Sequence, residues 1–212
     1  MRLPAPSLLV ITDRRQTRRS LEDTVAATLD GGARWLSLRE KDLPFADRAR
    51  LLTRLVERGG RNDAVVTVHE DIDAALEAGA AGVHLPSRGD PAAARRRLGA
   101  TALIGVSTHS TETAAAAASA GANYVTISPI FMSASKPGYG PVLGLPALAS
   151  IAQRVRVPVI ALGGIDAANA GDCLAAGAAG VAVMGGLMVA DDPIAATRTL
   201  LDALARVTPP AG

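Results

Sequence analysis

Short apolar segments recur along the chain and alternate with longer segments of helical periodicity. Eight of these segments are rich in aliphatic and β-branched residues, as expected of strands that are buried on both faces. The predicted strands are Leu8 to Thr12, Trp35 to Leu38, Ala64 to Val68, Gly82 to Leu85, Leu103 to Ser107, Tyr124 to Ile130, Val157 to Leu162 and Gly180 to Met184. Between the strands, apolar residues recur three and four positions apart, as at Leu52, Leu55 and Val56, which predicts amphipathic helices.

A glycine motif precedes four of the predicted strands, at Gly31-Gly32-Ala33, Ala78-Gly79-Ala80, Ala120-Gly121-Ala122 and Ala176-Gly177-Ala178. A glycine just after a helix favours a left-handed C-cap and a tight entry into the next strand. Eight strand–helix units in 212 residues predict the α/β class, as a single (β/α)8 TIM barrel domain over residues 1–212. The alternative is a doubly wound open sheet, which would need a glycine-rich turn after its first strand, where this chain has Thr12-Asp13-Arg14-Arg15.

The composition is typical of a globular protein in a reducing cytoplasm. Hydrophobic residues make up 49% of the chain and charged residues 20%, and the net charge is +2. The lone cysteine, Cys173, excludes a disulfide framework and is predicted to be buried. Scattered arginines and only 2% aromatic residues disfavour nucleic-acid binding. The uncharged stretch from Cys173 to Ala190 is interrupted by glycines, so it predicts a short strand and no membrane span.

The loops after the strands hold the candidate chemistry, because (β/α)8 barrels place their active sites there. Alternation along the second strand directs Ser37, Arg39 and Lys41 into the barrel, where converging cations favour an anionic ligand; a structural salt bridge is the alternative. Gly163-Gly164 and Gly185-Gly186 follow the seventh and eighth strands, where barrels often bind phosphate; tight turns are the alternative.

The loop after the sixth strand adds further groups that suit an oxyanion. Ser133 and Ser135 supply hydroxyls and Lys136 an ammonium, and the alternative is an ordinary surface loop. Lys41 and Lys136 are the only lysines of the chain beside twenty arginines.

Histidines and acids lie near the same ends of the strands. The histidines are His69, His84 and His109, and their spacing does not define a zinc site. The acids are Asp13, Glu70, Asp71 and Asp90, and hard oxygen ligands beside a phosphate site suggest Mg²⁺. For Asp71 and Asp90 the alternative is a helix N-cap.

Six segments in order give the chain a family resemblance. They are Val10-Ile11-Thr12-Asp13-Arg14, Leu38-Arg39-Glu40-Lys41, Gly82-Val83-His84-Leu85, Gly105-Val106-Ser107 with His109, Pro129-Ile130-Phe131 through Ser135-Lys136, and Gly163-Gly164-Ile165. Over nearly its whole length the chain resembles the thiamine phosphate synthase and thiazole tautomerase superfamily.

The resemblance implies an activity and a set of site residues. Thiamine phosphate synthases join hydroxymethylpyrimidine diphosphate to thiazole phosphate and release diphosphate, which Mg²⁺ and basic residues hold. The residues implied for diphosphate are Arg39, Lys41, Lys136, Ser133 and Ser135; those for thiazole phosphate are Gly164, Met184 and Gly185; His84 and Ser107 are further site positions. The expected partners are therefore phosphorylated small molecules, and another copy of this chain stays open as a partner.

The chain departs from the synthase pattern at several positions. Ser37 stands where synthases have Gln, and His69-Glu70 where they have Asn-Asp, so Ser37 and His69 are substrate candidates. Glu70 and Asp90 are the metal candidates, although Asp90 matches only with one inserted residue. A thiazole tautomerase is an alternative, but its histidine would fall at Pro129, which cannot transfer a proton. A binder of phosphate ligands without catalysis is the third hypothesis.

Overall fold

Eight parallel strands close into a barrel in a computed structural model of the chain, which describes residues 3–133 and 140–207. The strands are β1 Leu8–Ile11, β2 Trp35–Leu38, β3 Val65–His69, β4 Gly82–Leu85, β5 Leu103–Thr108, β6 Tyr124–Ile127, β7 Val159–Leu162 and β8 Gly180–Val183. Each strand pairs with its neighbour in sequence, and β1 pairs with β8 through Leu9 and Ala182. The predicted (β/α)8 barrel is confirmed, and this closure excludes the open sheet.

Helices connect the strands and cover the outside of the barrel. They are α1 Leu21–Asp30, α2 Phe45–Gly60, α3 Ile72–Ala78, α4 Pro91–Leu98, α5 Thr111–Ser119, α6 Gly144–Arg154, α7 Ala170–Ala175, α8 Gly185–Met188 and α9 Pro193–Ala205. Five of them begin at a side chain that accepts a backbone N–H, namely Ser20, Asp71, Asp90, Ser110 and Asp192. The predicted positive φ at the ends of helices is confirmed at Gly32, Gly79, Gly121 and Gly177.

Two predicted strands are shorter in the structure because proline interrupts the hydrogen-bond ladder. β6 ends at Ile127 and not at Ile130, since Pro129 has no N–H to donate. β7 begins after Pro158 for the same reason. Just beyond β6 the chain still runs alongside β7, because the amide of Ile130 donates to the carbonyl of Leu162 at 3.0 Å. This irregular segment leads directly into the loop after β6.

The apolar core has two layers. The larger layer fills the space between strands and helices, and the smaller one lies inside the barrel. The inner layer consists of Leu9, Ile11, Trp35, Leu103, Tyr124, Ile160 and Ala182. The rings of Trp35 and Tyr124 meet edge to face with centroids 4.8 Å apart, an arrangement that aromatic pairs prefer. These side chains fill one half of the barrel interior and leave space at the carboxyl ends of the strands.

The segment from residue 173 to 190 contains the end of α7, all of β8 and α8. The strand predicted here is confirmed, over Gly180–Val183. Cys173 is buried as predicted, and burial, aided by the charge of Asp172, raises the pKa of its thiol to about 11. None of the helices in the two described ranges combines the length and the apolar character needed to cross a bilayer.

Candidate active site

A cavity of about 870 Å³ lies at the carboxyl ends of the strands. The loop after every strand contributes to its wall, from Gln16 after β1 to Val189 beyond β8. This is where (β/α)8 barrels bind their ligands. Twelve of the fourteen predicted site residues are among the described residues; Ser135 and Lys136 lie outside them.

The loop after β2 brings two cations to the cavity. Arg39 and Lys41 line it, as the alternation along the strand predicts. Ser37 is fully buried one step lower on the same face of β2 and does not line the cavity. This side chain lies below the floor of the cavity, and its contact with a substrate stays a prediction. Alternation identifies the face of a strand but not the depth at which the cavity begins.

Glu40 lies between these two cations and points away from the cavity. It is buried, and its carboxylate accepts hydrogen bonds from the Thr12 hydroxyl at 2.8 Å and from the Arg14 amide at 3.1 Å. Burial is the main influence on this group and raises the pKa of Glu40. The carboxylate therefore joins the loops after β1 and β2. Sequence reasoning missed this role. The available signal was that Glu40 continues the outward-facing apolar series of Leu36 and Leu38, where an acid is unexpected.

The end of β3 supplies a histidine and a carboxylate to the cavity wall. His69 and Glu70 both line it, and Glu70 forms an ion pair with Lys41. The His69 and His84 rings lie with centroids 4.8 Å apart. The structure thus places a cation from β2 and an anion from β3 side by side. Because the Lys41 and Glu70 side chains are 47% and 38% exposed, a ligand can replace either partner of this ion pair.

A buried polar network supports the cavity floor. The Nδ1 of His84 lies 3.0 Å from the Tyr124 hydroxyl, and its Nε2 lies 2.9 Å from the Ser107 hydroxyl. His84 and Ser107 line the cavity, while Tyr124 packs below them. A Cβ at Gly105 would come within 2.1 Å of the Tyr124 ring, so the glycine two residues before Ser107 makes room for this ring.

The protonation state of this network follows from its burial. Burial, with a smaller contribution from the charge of Lys41, lowers the pKa of His84 to about 3. Burial also raises the pKa of Tyr124 well above its usual range. At neutral pH both groups are uncharged. His84 therefore acts as a neutral hydrogen-bonding group that orients Ser107 and does not serve as a cation for phosphate.

Asp90, the second predicted metal ligand, has a different place. It is exposed, caps α4 by accepting the amide of Ala93 at 3.0 Å, and does not line the cavity. Asp71 likewise caps α3. The alternative helix-cap role weighed for both residues is the one observed. Within residues 3–133 and 140–207, no three His, Cys, Asp or Glu side chains cluster closely enough to hold a metal ion by themselves.

The turn after β7 contacts the loop after β6. Gly164 lines the cavity with φ +64°, and a Cβ there would come within 2.3 Å of the Met132 carbonyl oxygen. The amide of Phe131 donates to the carbonyl of Gly163 at 3.0 Å. The glycine pair therefore allows the two loops to approach each other. The predicted tight turn is present, and Gly164 also borders the ligand space.

The remaining predicted residues lie around the same opening. Met184 and Gly185 line the cavity at the junction of β8 with α8, and Ser133 lines it in the loop after β6. His109 also lines it, with its Nδ1 2.8 Å from the carbonyl oxygen of Ser128. The described residues of the two predicted groups of phosphate contacts, after β2 and β6 and after β7 and β8, thus face one space.

These features define the class of the protein as an enzyme built on a (β/α)8 barrel, with a polar cavity at the carboxyl ends of its strands. The model of the family described as thiamine monophosphate synthase matches residues 8–187, and the chain belongs to this family.

Curated relatives and solved structures agree with this assignment. A putative thiamine-phosphate synthase of Geobacter sulfurreducens is 45% identical over 200 residues, covering 92% of each chain. A thiamine-phosphate synthase of Roseiflexus sp. is 42% identical over 204 residues, covering 93% of this chain and 86% of the relative. The structure of a thiamine phosphate pyrophosphorylase from Pyrococcus furiosus superimposes with a TM-score of 0.84 at 32% identity, covering 94% of this chain and 95% of that one.

Proposed function

We propose that this chain is a thiamine-phosphate synthase, which joins hydroxymethylpyrimidine diphosphate to thiazole phosphate and releases diphosphate. The main observation in support is one cavity that is lined by Arg39 and Lys41 on one side and by Gly164, Met184 and Gly185 on the other. The first side follows β2 and the second follows β7 and β8, which lie three and two places from β2 around the ring of eight strands. The two phosphorylated substrates can therefore bind in one space, each at its own part of the wall. In this proposal residues 1–212 work as a single domain.

The reaction needs stabilised charge more than proton transfer. The bond between the pyrimidine methylene carbon and the diphosphate oxygen breaks, and the thiazole nitrogen donates its electron pair to that carbon. Negative charge grows on the departing oxygen, so fixed cations aimed at it lower the barrier. Arg39 and Lys41 supply these cations, and Ser133 donates a hydrogen bond. Ser135 and Lys136, which the resemblance assigns to the same group, complete the set.

The residues at β3 fit Mg²⁺ in part. Glu70 offers hard oxygen atoms at the cavity wall, whereas Asp90 caps a helix away from it. Mg²⁺ is commonly held by one or two carboxylates together with substrate phosphates. We therefore assign Glu70 as the protein's carboxylate for the ion. When bound, Mg²⁺ neutralises charge on the diphosphate. His69, beside Glu70, then lies within the same wall as a substrate contact.

The part of the wall after β7 and β8 holds the second substrate. Backbone amides at Gly164 and at the start of α8 suit the phosphate of the thiazole, because glycine lets the chain approach an oxyanion closely. Ser107, oriented by the neutral His84, lies on the floor between the walls and offers a hydroxyl to the pyrimidine. Apolar side chains including Leu162, Ile165 and Met184 cover the remaining surface and exclude water around the rings.

A turnover assay tests the synthase proposal. Purified protein with both substrates and Mg²⁺ should form thiamine phosphate, and chelation of the ion with EDTA should stop it. Turnover of a thiazole carboxylate without metal would instead indicate the tautomerase. Binding of thiazole phosphate in a calorimeter, without turnover in either assay, would indicate the binder without catalysis.

Two matched variants examine the metal ligands in the same assay. Glu70→Gln should raise the Mg²⁺ concentration needed for half-maximal rate by about tenfold or more, since loss of even an outer partner of a metal ligand typically costs that much. Asp90→Asn removes the other candidate carboxylate but keeps a good helix cap. A rate unchanged in Asp90→Asn leaves Glu70 as the carboxylate ligand, whereas an equal loss in both variants would restore Asp90 to the site.

A further inference from the structure

Glu70 occupies a tight turn with a backbone conformation that is unusual for a residue with a side chain. Its φ is +64°, and the amide of Asp71 donates to the carbonyl of His69 at 2.8 Å. Such a turn is strained for any residue with a Cβ, and it persists only where its surroundings enforce it. The carboxylate at the cavity wall therefore depends on contacts that hold this turn.

The residues on both sides of Glu70 are fixed. The Glu70 amide itself donates to the His84 carbonyl at 3.0 Å. One carboxylate oxygen of Asp71 accepts the Ala74 amide at 2.9 Å and starts α3. The other oxygen accepts hydrogen bonds from Arg48, from Nε at 2.8 Å and from Nη2. Arg48 in α2 thus holds the residue directly after the strained one.

Arg48 also holds the loop after β2. Its Nη1 donates to the carbonyl of Leu43 at 2.6 Å, two residues after Lys41. The Arg48 and Asp71 side chains are only 17% and 14% exposed, whereas Arg50 and Asp47, an ion pair on the same helix, are 71% and 47% exposed. Partly buried charge pairs are less screened by water than exposed ones. The Arg48–Asp71 pair therefore constrains the backbone around it more strongly than the Arg50–Asp47 pair does.

We propose that Arg48 is a positioning residue for the diphosphate and Mg²⁺ side of the site. Through Asp71 it fixes the turn of Glu70, and through Leu43 it fixes the loop of Lys41, so that both charged groups reach the same wall. Arg48 does not line the substrate cavity; it lines a smaller neighbouring cleft that shares Lys41 and Glu70 with it. The identity of the ligand in this inference rests on the proposed function, whereas the contacts of Arg48 with Asp71 and Leu43 are independent of it.

Calorimetry with inorganic diphosphate and Mg²⁺ tests this role without turnover. Arg48→Met keeps most of the aliphatic stem and removes the hydrogen bonds to Asp71 and Leu43. We expect the Kd for diphosphate to rise by about tenfold, as loss of a supporting contact behind a metal ligand typically causes. Arg48→Lys should fall between Arg48→Met and wild type. Arg50→Met, which breaks an exposed pair on the same helix, is the matched control and should bind as wild type does.

The synthase assay separates positioning from stability. In Arg48→Met, KM for the pyrimidine diphosphate and the Mg²⁺ requirement should rise together, while KM for thiazole phosphate stays at its wild-type value. Asp71→Asn, which keeps the α3 cap, should produce the same pattern. The combination of Arg48→Met with Glu70→Gln should weaken diphosphate binding less than the product of the two separate effects.

Several outcomes would overturn the proposal. One is a Kd for diphosphate in Arg48→Met that equals the Kd in Arg50→Met, and another is a lower melting temperature of Arg48→Met with unchanged Kd and KM. The proposal is also wrong if the wild type does not bind diphosphate with Mg²⁺, or if both Arg48→Met and Asp71→Asn fail to fold. A wild type that binds diphosphate but makes no thiamine phosphate would contradict the proposed function alone, and the calorimetric comparison would still decide the role of Arg48.

Discussion

Glu40 and Glu70 follow neighbouring strands, and their surroundings give them different chemistry. The Glu40 side chain is 1% exposed and accepts hydrogen bonds from Thr12 and Arg14, so it stabilises loops and is closed to ligands. The Glu70 side chain is 38% exposed, lines the cavity and faces Lys41. Because a carboxylate with protein donors on both oxygens has little capacity left for a ligand, only Glu70 suits Mg²⁺.

The ammonium of Lys41 should not be replaceable by a guanidinium. Lys41→Arg keeps the charge but brings a planar, wider group to a site where a compact cation meets Glu70. We expect kcat/KM to fall by roughly tenfold, equivalent to about 1.4 kcal/mol of transition-state stabilisation. Arg50→Lys, the reverse exchange on the exposed face of α2, is the control. Equal rates in Lys41→Arg, Arg50→Lys and wild type would show that charge alone matters.

Lys136→Arg tests the second lysine in the same way.

His84 makes folding stability depend on pH. Its pKa is about 3 in the folded protein and 6.5 ordinarily, so between these values the unfolded chain binds one proton more. Stability from this group is therefore fully present above pH 6.5 and is lost as the pH falls toward 3. Between pH 7 and pH 5 the loss is about 2 kcal/mol.

His84→Gln should remove this dependence. Urea unfolding at pH 7 and pH 5 gives the difference in the free energy of unfolding, and we expect the variant to lose about 2 kcal/mol less than wild type over this interval. Other titrating groups, Glu40 among them, contribute to both proteins and cancel in the comparison. His109→Gln, the same exchange at an exposed position, is the control for replacing a histidine by glutamine. Parallel pH profiles for wild type and His84→Gln would contradict a buried neutral His84.

At the scale of elements, two loops on neighbouring strands share one close contact. The turn at Gly163 and Gly164 lies against the segment from Pro129 to Met132, which leads into the loop after β6. The phosphate side of the cavity and that loop are therefore mechanically linked. The order of elements was predictable, since the apolar segments and glycine C-caps are local signals. The contact was not, because it joins residues about thirty positions apart.

Gly164→Ala measures the importance of this contact. Gly164 and Gly79 have nearly the same φ, +64° and +63°, but a Cβ at 164 would meet the Met132 carbonyl whereas one at 79 would meet nothing within 4 Å. Gly79→Ala should cost about 1–2 kcal/mol of unfolding free energy for the backbone alone. Gly164→Ala should cost about 1–3 kcal/mol more, from the added collision. Equal losses in urea unfolding would show that the two loops separate without cost.

At the site, too, sequence reasoning reached the features with local signals and missed those that depend on contacts between elements. Arg39, Lys41, Glu70, Gly164 and Gly185 line the cavity as predicted, because each follows a strand end whose position the pattern reveals. The depth of Ser37, the role of Glu40 in joining two loops and the partnership of Arg48 with Asp71 depend on packing between separate elements. No periodicity along one segment contains that information.

At the scale of the whole molecule, the barrel interior has a packed half and an open half. Trp35 and Tyr124 fill the first, while the cavity occupies the second, with His84 and Ser107 at the boundary. Stability and function thus depend on different ends of the same strands. Substitutions among the inner apolar residues should act on unfolding free energy, and those in the loops on substrate binding.

The edge-to-face pair of Trp35 and Tyr124 gives the protein an intrinsic optical probe. Trp35 is the one tryptophan of the chain, and it is fully buried inside the barrel. Its fluorescence therefore comes from a single, water-free position. The Tyr124 ring next to it is hydrogen-bonded to His84, which in turn contacts Ser107 in the cavity. A red shift in emission reports entry of water when the barrel opens, and a change in intensity without a shift reports a ligand arriving at Ser107.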